Sequence, residues 1–272
     1  MASAFFASGA GLCYNLCKTI LTRPEEMNMH IYDDKIPLEV KLDLPAGRTD
    51  GTPLMILLHG FTGHMEEPHI TAMAEMMTGL GFAVLRAELY GHGRSGGTFH
   101  DHTIWKWLNN IMTLVDYARK DLGYREIWLA GHSQGGLSVL LAAAMERDRI
   151  KGVVALAPAV TIPAWARNGS AMRIDFDPVN VPDSFDLGEV SLGGNYIRAA
   201  QMIHAEDAFR YEGPVIFVHG DADETIPVTA SVEFSKHFRD AELVLIPGDT
   251  HCYDHHLDQA LAAVRDWLVR KR

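Results

Sequence analysis

The chain has 272 residues, of which 47% are hydrophobic and 22% are charged. This composition excludes a disordered or collagen-like chain and predicts one large α/β domain, or one domain with an insertion. Lys and Arg number 24 against 35 Asp and Glu, and the resulting net charge of −11 argues against nucleic acid or an anionic membrane as a partner. Three cysteines (Cys13, Cys17 and Cys252) are too few for a multi-bridge secreted scaffold, so we interpret them as thiols in a reduced compartment.

Residues 1–17 carry no charge and many small side chains, as an export signal does. However, no Lys or Arg precedes the apolar part, and Ser, Gly and Asn interrupt it too often for a membrane span. We therefore interpret this segment as an extension of the domain and expect a cytoplasmic protein. An export signal is the alternative.

Short apolar runs alternate with amphipathic stretches along the chain. Residues 38–44 alternate apolar and charged side chains, which predicts a half-exposed strand. Further strands are predicted at 53–58, 82–87, 126–130, 152–157, 214–218 and 243–246, and most of these apolar runs are nearly continuous. Helices are predicted at 104–118, after a Thr103 N-cap, and at 137–145. This alternation predicts a mostly parallel central sheet with helices on both faces.

The pattern changes between Ala159 and Gly213, where prolines and a Gly-Gly pair interrupt it and a clear helical stretch returns only at 195–204. Long connections without regular structure are uncommon inside a compact domain, except as lids over active sites. We therefore predict three parts. They are an N-terminal extension with the first strand (1–50), a core (51–158 and 214–272) and a small lid insertion (159–213).

Residues 131–136, Gly-His-Ser-Gln-Gly-Gly, fit the pattern Gly-x-Ser-x-Gly between a predicted strand and a predicted helix. A sharp turn there strains the backbone of Ser133 and lifts its hydroxyl above the carboxyl end of the sheet. The flanking glycines avoid Cβ collisions where strand and helix nearly touch. The pattern predicts a nucleophilic serine, with an ordinary serine in a glycine-rich turn as the alternative.

A serine becomes nucleophilic when a histidine, oriented by a carboxylate, takes its proton. In the chain order typical of this context, the acid and then the histidine follow the serine. Asp221 and Asp223 come just after the strand at 214–218, and His251 comes just after the strand at 243–246. Ligands bind at such strand ends in open α/β sheets. An ordinary histidine in a surface loop is the alternative for His251.

The loop at 59–64, His-Gly-Phe-Thr-Gly-His, follows the strand at 53–58. Acyl transfer places negative charge on the former carbonyl oxygen, and two backbone N–H groups are needed to stabilise it. We assign one donor to Gln134, the residue after the serine, and the other to Phe61 in this loop.

The strings at 59–60, 91–95, 131–135, 220–227 and 248–251 are together similar to the α/β-hydrolase superfamily from about residue 53 to the C-terminus. The longer strings at 59–64, 131–137, 194–201 and 248–253 resemble the bacterial feruloyl (cinnamoyl) esterases, which hydrolyse hydroxycinnamate esters released from plant cell walls. The resemblance implies an α/β-hydrolase fold with a lid over the aromatic acyl group. The residues it implies for the site are a triad of Ser133, Asp223 and His251 and oxyanion donors Phe61 and Gln134. The family's Gly-x-x-Asp spacing selects Asp223 over Asp221, which we then interpret as a residue that shapes the loop.

The lid insertion supplies four aromatic side chains, Trp165, Phe176, Phe185 and Tyr196. We expect Phe176 and Phe185 to pack inside the lid. Some members of the family place an acidic side chain for the substrate's phenol near the position of Trp165, so that contact does not carry over. We expect Trp165 and Tyr196 to bind substrate, with the Tyr196 hydroxyl hydrogen-bonded to the phenol.

The implied reaction is serine carboxylesterase chemistry on a small-molecule aryl ester, with no metal or organic cofactor. His251, Asp254, His255 and His256 cluster in sequence, but they lack regular ligand spacing, and we predict no metal site. Two alternatives stay open. One is an aliphatic-ester or monoacylglycerol lipase or acyltransferase with the same triad, and the other is a non-catalytic binder on this fold. A homodimer also stays open.

Overall fold

The structure, a computed structural model, describes residues 25–171 and 174–272. Cys13, Cys17 and the extension at 1–17 therefore lie outside the described residues. Cys252 is a free, partly buried cysteine. Within the described ranges, no helix is long and apolar enough to cross a membrane.

The first half of the chain forms β1 (Glu25–Asp33), β2 (Ile36–Leu44), β3 (Leu54–Leu58), α1 (Pro68–Gly79), β4 (Ala83–Ala87), α2 (Ile104–Lys120), β5 (Ile127–His132), α3 (Gln134–Met145) and β6 (Ile150–Leu156). The second half forms α4 (Ile162–Asn168), β7 (Ser170–Ala171), β8 (Ile174–Asp175), β9 (Ser184–Asp186), β10 (Ser191–Gly193), α5 (Gly194–Gln201), β11 (Val215–Gly220), α6 (Val228–Ser235), β12 (Ala241–Ile246) and α7 (Leu257–Lys271). The Thr103 hydroxyl caps α2 by accepting a hydrogen bond from the Lys106 N–H, as predicted.

Eight strands form one sheet in the order β1-β2-β4-β3-β5-β6-β11-β12. β1 and β2 pair antiparallel, as do β2 and β4, and the other neighbours are parallel. The prediction of a mostly parallel α/β sheet is therefore confirmed. Because the carboxyl ends of the parallel strands share one edge, the loops after β3, β5, β11 and β12 meet there.

Both faces of the sheet are buried, which explains the continuous apolar runs. In β3, Leu54, Ile56 and Leu58 belong to the core on the α2 and α3 side, whereas Met55 and Leu57 belong to the core on the α1 and α7 side. Large fully buried side chains fill each core, with Trp107 on the first side and Trp128 and Trp267 on the second. Burying a large apolar side chain contributes about 1.5–3 kcal/mol, so the two cores stabilise the strand ends that carry the site.

β1, which the sequence pattern did not predict, forms an antiparallel hairpin with β2 at the edge of the sheet. Its apolar residues do alternate at Met27, Met29 and Ile31, but only Ile31 is buried and Met27 is 39% exposed. An edge strand with so little buried apolar surface gives a weak pattern.

Residues 159–213 contain α4, two short antiparallel pairs (β7 with β8 and β9 with β10) and α5, all outside the main sheet. The Phe176 and Phe185 rings pack edge to face at 5.5 Å, as expected for side chains that hold this segment together. The division into extension, core and lid stays a prediction.

Candidate active site

Ser133 lies between β5 and α3 with φ of +55° and ψ of −120°, the strained backbone that the sequence predicts. Its N–H donates to the Leu156 carbonyl at 2.8 Å, which ties the turn to β6. The first turn of α3 also lies against the end of β3, because a Cβ on Gly135 would lie 2.2 Å from the carbonyl oxygen of His59, the residue that follows β3. Glycine is therefore required at 135, and Ser133 is fixed at the carboxyl end of the sheet.

Asp223 and His251 are brought together by the loops after β11 and β12. The His251 Nδ1 lies 2.6 Å from the Asp223 Oδ2, so the ring donates its Nδ1–H to the carboxylate. Asp221 does not reach His251 and instead accepts the Gly248 N–H at 2.6 Å, which links the two loops. The geometry therefore pairs His251 with Asp223, while Asp221 shapes the loop.

The Asp223 carboxylate is fully buried and has hydrogen-bond partners on both oxygens. The Thr225 and Ile226 N–H groups donate to its Oδ1 at 2.7 and 2.9 Å. His219 Nε2 lies 2.9 Å from Oδ2, beside the His251 contact. Burial acts to raise the pKa of Asp223, but the hydrogen bonds from His219 and His251 outweigh it and hold that pKa below its usual value. The carboxylate thus stays ionised although no Lys or Arg among the described residues is paired with it.

His132, the residue before Ser133, supports the loop that carries His251. Its Nε2 lies 2.9 Å from the His251 carbonyl oxygen, which can only accept, so the ring donates from Nε2. The two imidazole centroids are 4.6 Å apart. Burial lowers the pKa of His132 well below its usual value and keeps the ring neutral. The neutral His132 ring therefore places no positive charge beside His251.

Two buried histidines, His59 and His92, stabilise the loop that carries Phe61. His59 accepts the Leu89 N–H through Nε2, and His92 accepts the Thr62 N–H through Nε2 at 3.3 Å. Burial lowers the pKa of His59 to about 3 and that of His92 to about 4, so both nitrogens stay available as acceptors. Within the described ranges, the N–H groups of Phe61 and Gln134 have no hydrogen-bond partner. Both are free to donate to an oxyanion.

A cavity of about 1120 Å³ opens beside Ser133 and Asp223. Residues of the 159–213 segment form much of its wall, including Ile162, Trp165 and Leu187. Phe61, from the loop after β3, also lines the cavity. The structure therefore places Trp165 where it can contact a molecule held at Ser133.

Tyr196 lies elsewhere, which corrects the expectation that its hydroxyl meets a substrate phenol. The side chain is fully buried, and its hydroxyl donates to the Gln134 Oε1 at 2.6 Å. Its ring packs against Phe61 and His102, with centroids 5.5 and 5.0 Å away. A neighbour 62 residues away in sequence takes the hydroxyl, so Tyr196 supports the two oxyanion candidates instead of lining the cavity.

His219 and Ser231 are two residues near the site for which the sequence motifs predicted no role. Both are fully buried, and the His219 Nδ1 lies 2.7 Å from the Ser231 hydroxyl oxygen. The available signal was the position of His219 at the end of the β11 strand, four residues before Asp223. Within 25–171 and 174–272, no group of three or more His, Cys, Asp or Glu side chains has the geometry to hold a metal ion.

Comparisons with known proteins agree with this architecture. A sequence profile of the family described as serine aminopeptidase, S33, matches residues 51–174. The chain is 51% identical to Est1E from Butyrivibrio proteoclasticus in a structure with bound ferulic acid, over 89% of this chain and 98% of that one, with a TM-score of 0.87. It is 22% identical over 294 residues to the mitochondrial palmitoyl-protein thioesterase ABHD10 of Bos taurus, covering 100% of this chain and 92% of the relative. It is 26% identical over 271 residues to the monoacylglycerol lipase of Mycolicibacterium smegmatis, covering 85% of this chain and 93% of the relative.

The match to Est1E spans nearly the whole of that protein at an identity of 51%. The chain therefore belongs to the α/β-hydrolase superfamily and is a carboxylic ester hydrolase that resembles the feruloyl esterases.

Proposed function

We propose that the chain hydrolyses hydroxycinnamate esters of the feruloyl type through an acyl-enzyme intermediate. The observation that carries this proposal is the 51% identity to Est1E, a protein whose structure holds ferulic acid. The cavity beside Ser133 supports it, because Phe61 and Trp165 line walls that an aromatic acyl group can pack against. At about 1120 Å³ the cavity exceeds the ~300–1,000 Å³ of common ligand sites, which leaves room for the alcohol side as well.

Ser133 is the nucleophile in this proposal. Its Oγ attacks the ester carbonyl while His251 Nε2 takes the hydroxyl proton. Asp223 holds the imidazole through Nδ1 and stabilises the positive charge that develops on the ring. Negative charge collects on the former carbonyl oxygen, where the Phe61 and Gln134 N–H groups donate. Loss of one such donor costs roughly 10² to 10³ in kcat in template enzymes.

The intermediate then collapses, the bond to the alcohol oxygen breaks, and His251 returns its proton to the leaving alcohol. A water molecule attacks the acyl-serine ester in the second half, again losing its proton to His251. The acid leaves, and the Ser133 hydroxyl is restored. The balance requires only ester and water.

The alternative function is hydrolysis of an aliphatic ester or a monoacylglycerol. The observation that favours it is the 26% identity to the monoacylglycerol lipase of Mycolicibacterium smegmatis. This alternative uses the same triad and differs in the acyl group that fills the cavity. The cytoplasmic location and the homodimer stay predictions.

The experiment compares kcat/KM for methyl ferulate, p-nitrophenyl butyrate and a monoacylglycerol on one preparation. We expect methyl ferulate to be the best of the three substrates. A higher value for the monoacylglycerol would overturn the substrate class and leave the esterase chemistry in place.

The nucleophile is tested with Ser133→Ala, which should reduce turnover to the residual ~10³ to 10⁴ over water that binding and the oxyanion hole supply. Ser235→Ala, at the end of α6 and outside the cavity wall, is the matched control and should keep wild-type rates. Turnover by Ser133→Ala above a few per cent of wild type would move the nucleophile elsewhere.

A further inference from the structure

His219 is the second histidine that contacts Asp223, and both of its ring nitrogens have hydrogen-bond partners. Its side chain is fully buried at the end of β11. Nε2 lies 2.9 Å from the Asp223 Oδ2 and 3.1 Å from the Ile226 carbonyl oxygen, and Nδ1 lies 2.7 Å from the Ser231 hydroxyl oxygen. When both ring nitrogens of an imidazole have fixed partners, the nitrogen that faces an acceptor carries the hydrogen, and the nitrogen that faces a donor accepts one.

The partners of His219 determine its tautomer. Both neighbours of Nε2 are acceptors, a carboxylate and a carbonyl, so Nε2 carries the hydrogen. Among the described residues, the Ser231 hydroxyl has no hydrogen-bond partner except His219, and a buried hydroxyl without an acceptor is costly. Ser231 therefore donates to Nδ1, and His219 donates through Nε2.

The hydrogen bonds then form one continuous series. Ser231 donates to His219, His219 donates to Asp223, and His251 donates to the same Oδ2 from the other side at 2.6 Å. Asp223 Oδ2 thus has two imidazole donors, of which only His251 can reach the substrate side. The His219 contact holds the Asp223 carboxylate in one rotamer. Because Oδ2 also accepts from His219, its hydrogen bond to His251 is weaker than it would be with His251 as the single donor.

We propose that His219, oriented by Ser231, is a positioning residue that aims the Asp223 carboxylate at His251 and tunes how strongly it holds the protonated base. The inference rests on the proposed function of the Ser133, Asp223 and His251 triad. It predicts an effect on the pH dependence of the reaction, which a residue that only fills space would not have.

Other titratable groups surround the pair of Asp223 and His251 and are the same in all variants compared below. Those close enough to interact with one or the other are Glu67, His69, His132, Cys252 and Tyr253. The test therefore changes His219 or Ser231 alone and keeps this set constant.

Two amide substitutions separate the two ends of the ring. A glutamine amide reaches the position of the histidine Nε2, so His219→Gln keeps a donor for Asp223 and loses the Ser231 contact. An asparagine amide reaches the position of Nδ1, so His219→Asn keeps the Ser231 contact and loses the donor. The pair is matched in polarity and burial, and both variants are normalised by the burst of p-nitrophenol, which counts working active sites.

We expect His219→Asn to lower kcat about tenfold with KM little changed, because a His251 ring that holds its proton more strongly returns it more slowly to the leaving alcohol. The acid limb of its kcat/KM profile should move to higher pH by about 0.5 to 1 unit, since a carboxylate with one donor fewer holds the protonated His251 more strongly. His219→Gln should retain the wild-type limb and most of kcat. Equal losses in the two variants, or a wild-type limb in His219→Asn, would overturn the proposal.

Ser231→Ala provides a second test that leaves the ring in place, in case the His219 variants do not fold. Without the hydroxyl, the tautomer with hydrogen on Nδ1 becomes accessible, and we expect the limb to move in the same direction as in His219→Asn. An unchanged limb in Ser231→Ala would also overturn the role of Ser231. Failure of the proposed function is recognised separately, because Ser133→Ala would then still give a burst.

Discussion

The Tyr196 hydroxyl donates a 2.6 Å hydrogen bond to the side chain of Gln134, the first residue of the helix that follows the serine turn. The contact connects α5 of the 159–213 segment to the residue whose N–H we assign to the oxyanion hole. A segment that lines the cavity is therefore hydrogen-bonded directly to the residue next to Ser133.

We expect Tyr196→Phe to lower kcat for methyl ferulate and for p-nitrophenyl butyrate by the same factor. The Gln134 Oε1 loses its partner in a fully buried place, which should also cost about 1–2 kcal/mol in the free energy of unfolding. Steady-state kinetics on both esters and urea unfolding measure the two effects. Tyr32→Phe, at a side chain that is 63% exposed, is the control and should change neither. A loss confined to methyl ferulate would restore Tyr196 as a contact for the phenol.

Asp221 and Asp223 are two residues apart in sequence but have different partners. Asp223 accepts from the His251 ring, and Asp221 accepts from the Gly248 N–H. Asp223→Asn replaces an acceptor of the His251 Nδ1–H with an amide, so the wrong His251 tautomer is favoured, and we expect kcat to fall by about 10⁴. Asp221→Asn keeps an oxygen that can accept the Gly248 N–H, so its kcat should stay within about tenfold of wild type. The two kcat values, measured at one pH, check this. The reverse ranking would transfer the acid role to Asp221.

Acid should destabilise the protein through histidines that are buried as neutral rings. Burial lowers the pKa of His59 to about 3, of His92 to about 4 and of His102 to about 3, from 6.5 in the unfolded chain. The unfolded chain therefore binds more protons than the folded one below pH 6.5, and the free energy of unfolding falls as the pH drops from there toward the folded values. Between about pH 7 and about pH 5.5 we expect a loss of about 1 kcal/mol for each ring.

Urea unfolding at the two pH values measures the loss. His102→Gln should reduce it by the share of one histidine, whereas His255→Gln, at an exposed position, should leave it unchanged. If His102→Gln shows the full wild-type loss, the His102 ring is not kept neutral by burial. These three rings surround the loop of Phe61, so the same protonation should disturb the oxyanion site before the sheet unfolds.

Sequence patterns predicted those parts of the site that depend on local structure. Gly-x-Ser-x-Gly is contiguous and lies between a strand and a helix, so the turn at Ser133 could be predicted from the chain itself. The partner of Tyr196 could not, because Gln134 is 62 residues away and the contact depends on where the tertiary fold places α5 relative to α3. His219 shows a third case. Its position beside Asp223 was visible, but its role depends on Ser231, which only the packing of α6 on β11 brings within 2.7 Å.

The close contact between α3 and the end of β3 gives a prediction about stability alone. A Cβ on Gly135 would lie 2.2 Å from the His59 carbonyl oxygen and 3.1 Å from that of Leu58, both backbone atoms that cannot move without shifting β3. Gly135→Ala should therefore destabilise the fold by about 1–3 kcal/mol or more. Gly79→Ala, at the end of α1 with nothing within 4 Å of the added Cβ, is the matched control. It should be neutral or stabilise by about 0.4–1 kcal/mol, because alanine restricts the unfolded chain. Urea midpoints at a constant m-value measure both changes. A Gly135→Ala variant as stable as wild type would show that α3 can move away from the end of β3 without cost, and that the tight turn at Ser133 does not depend on this contact.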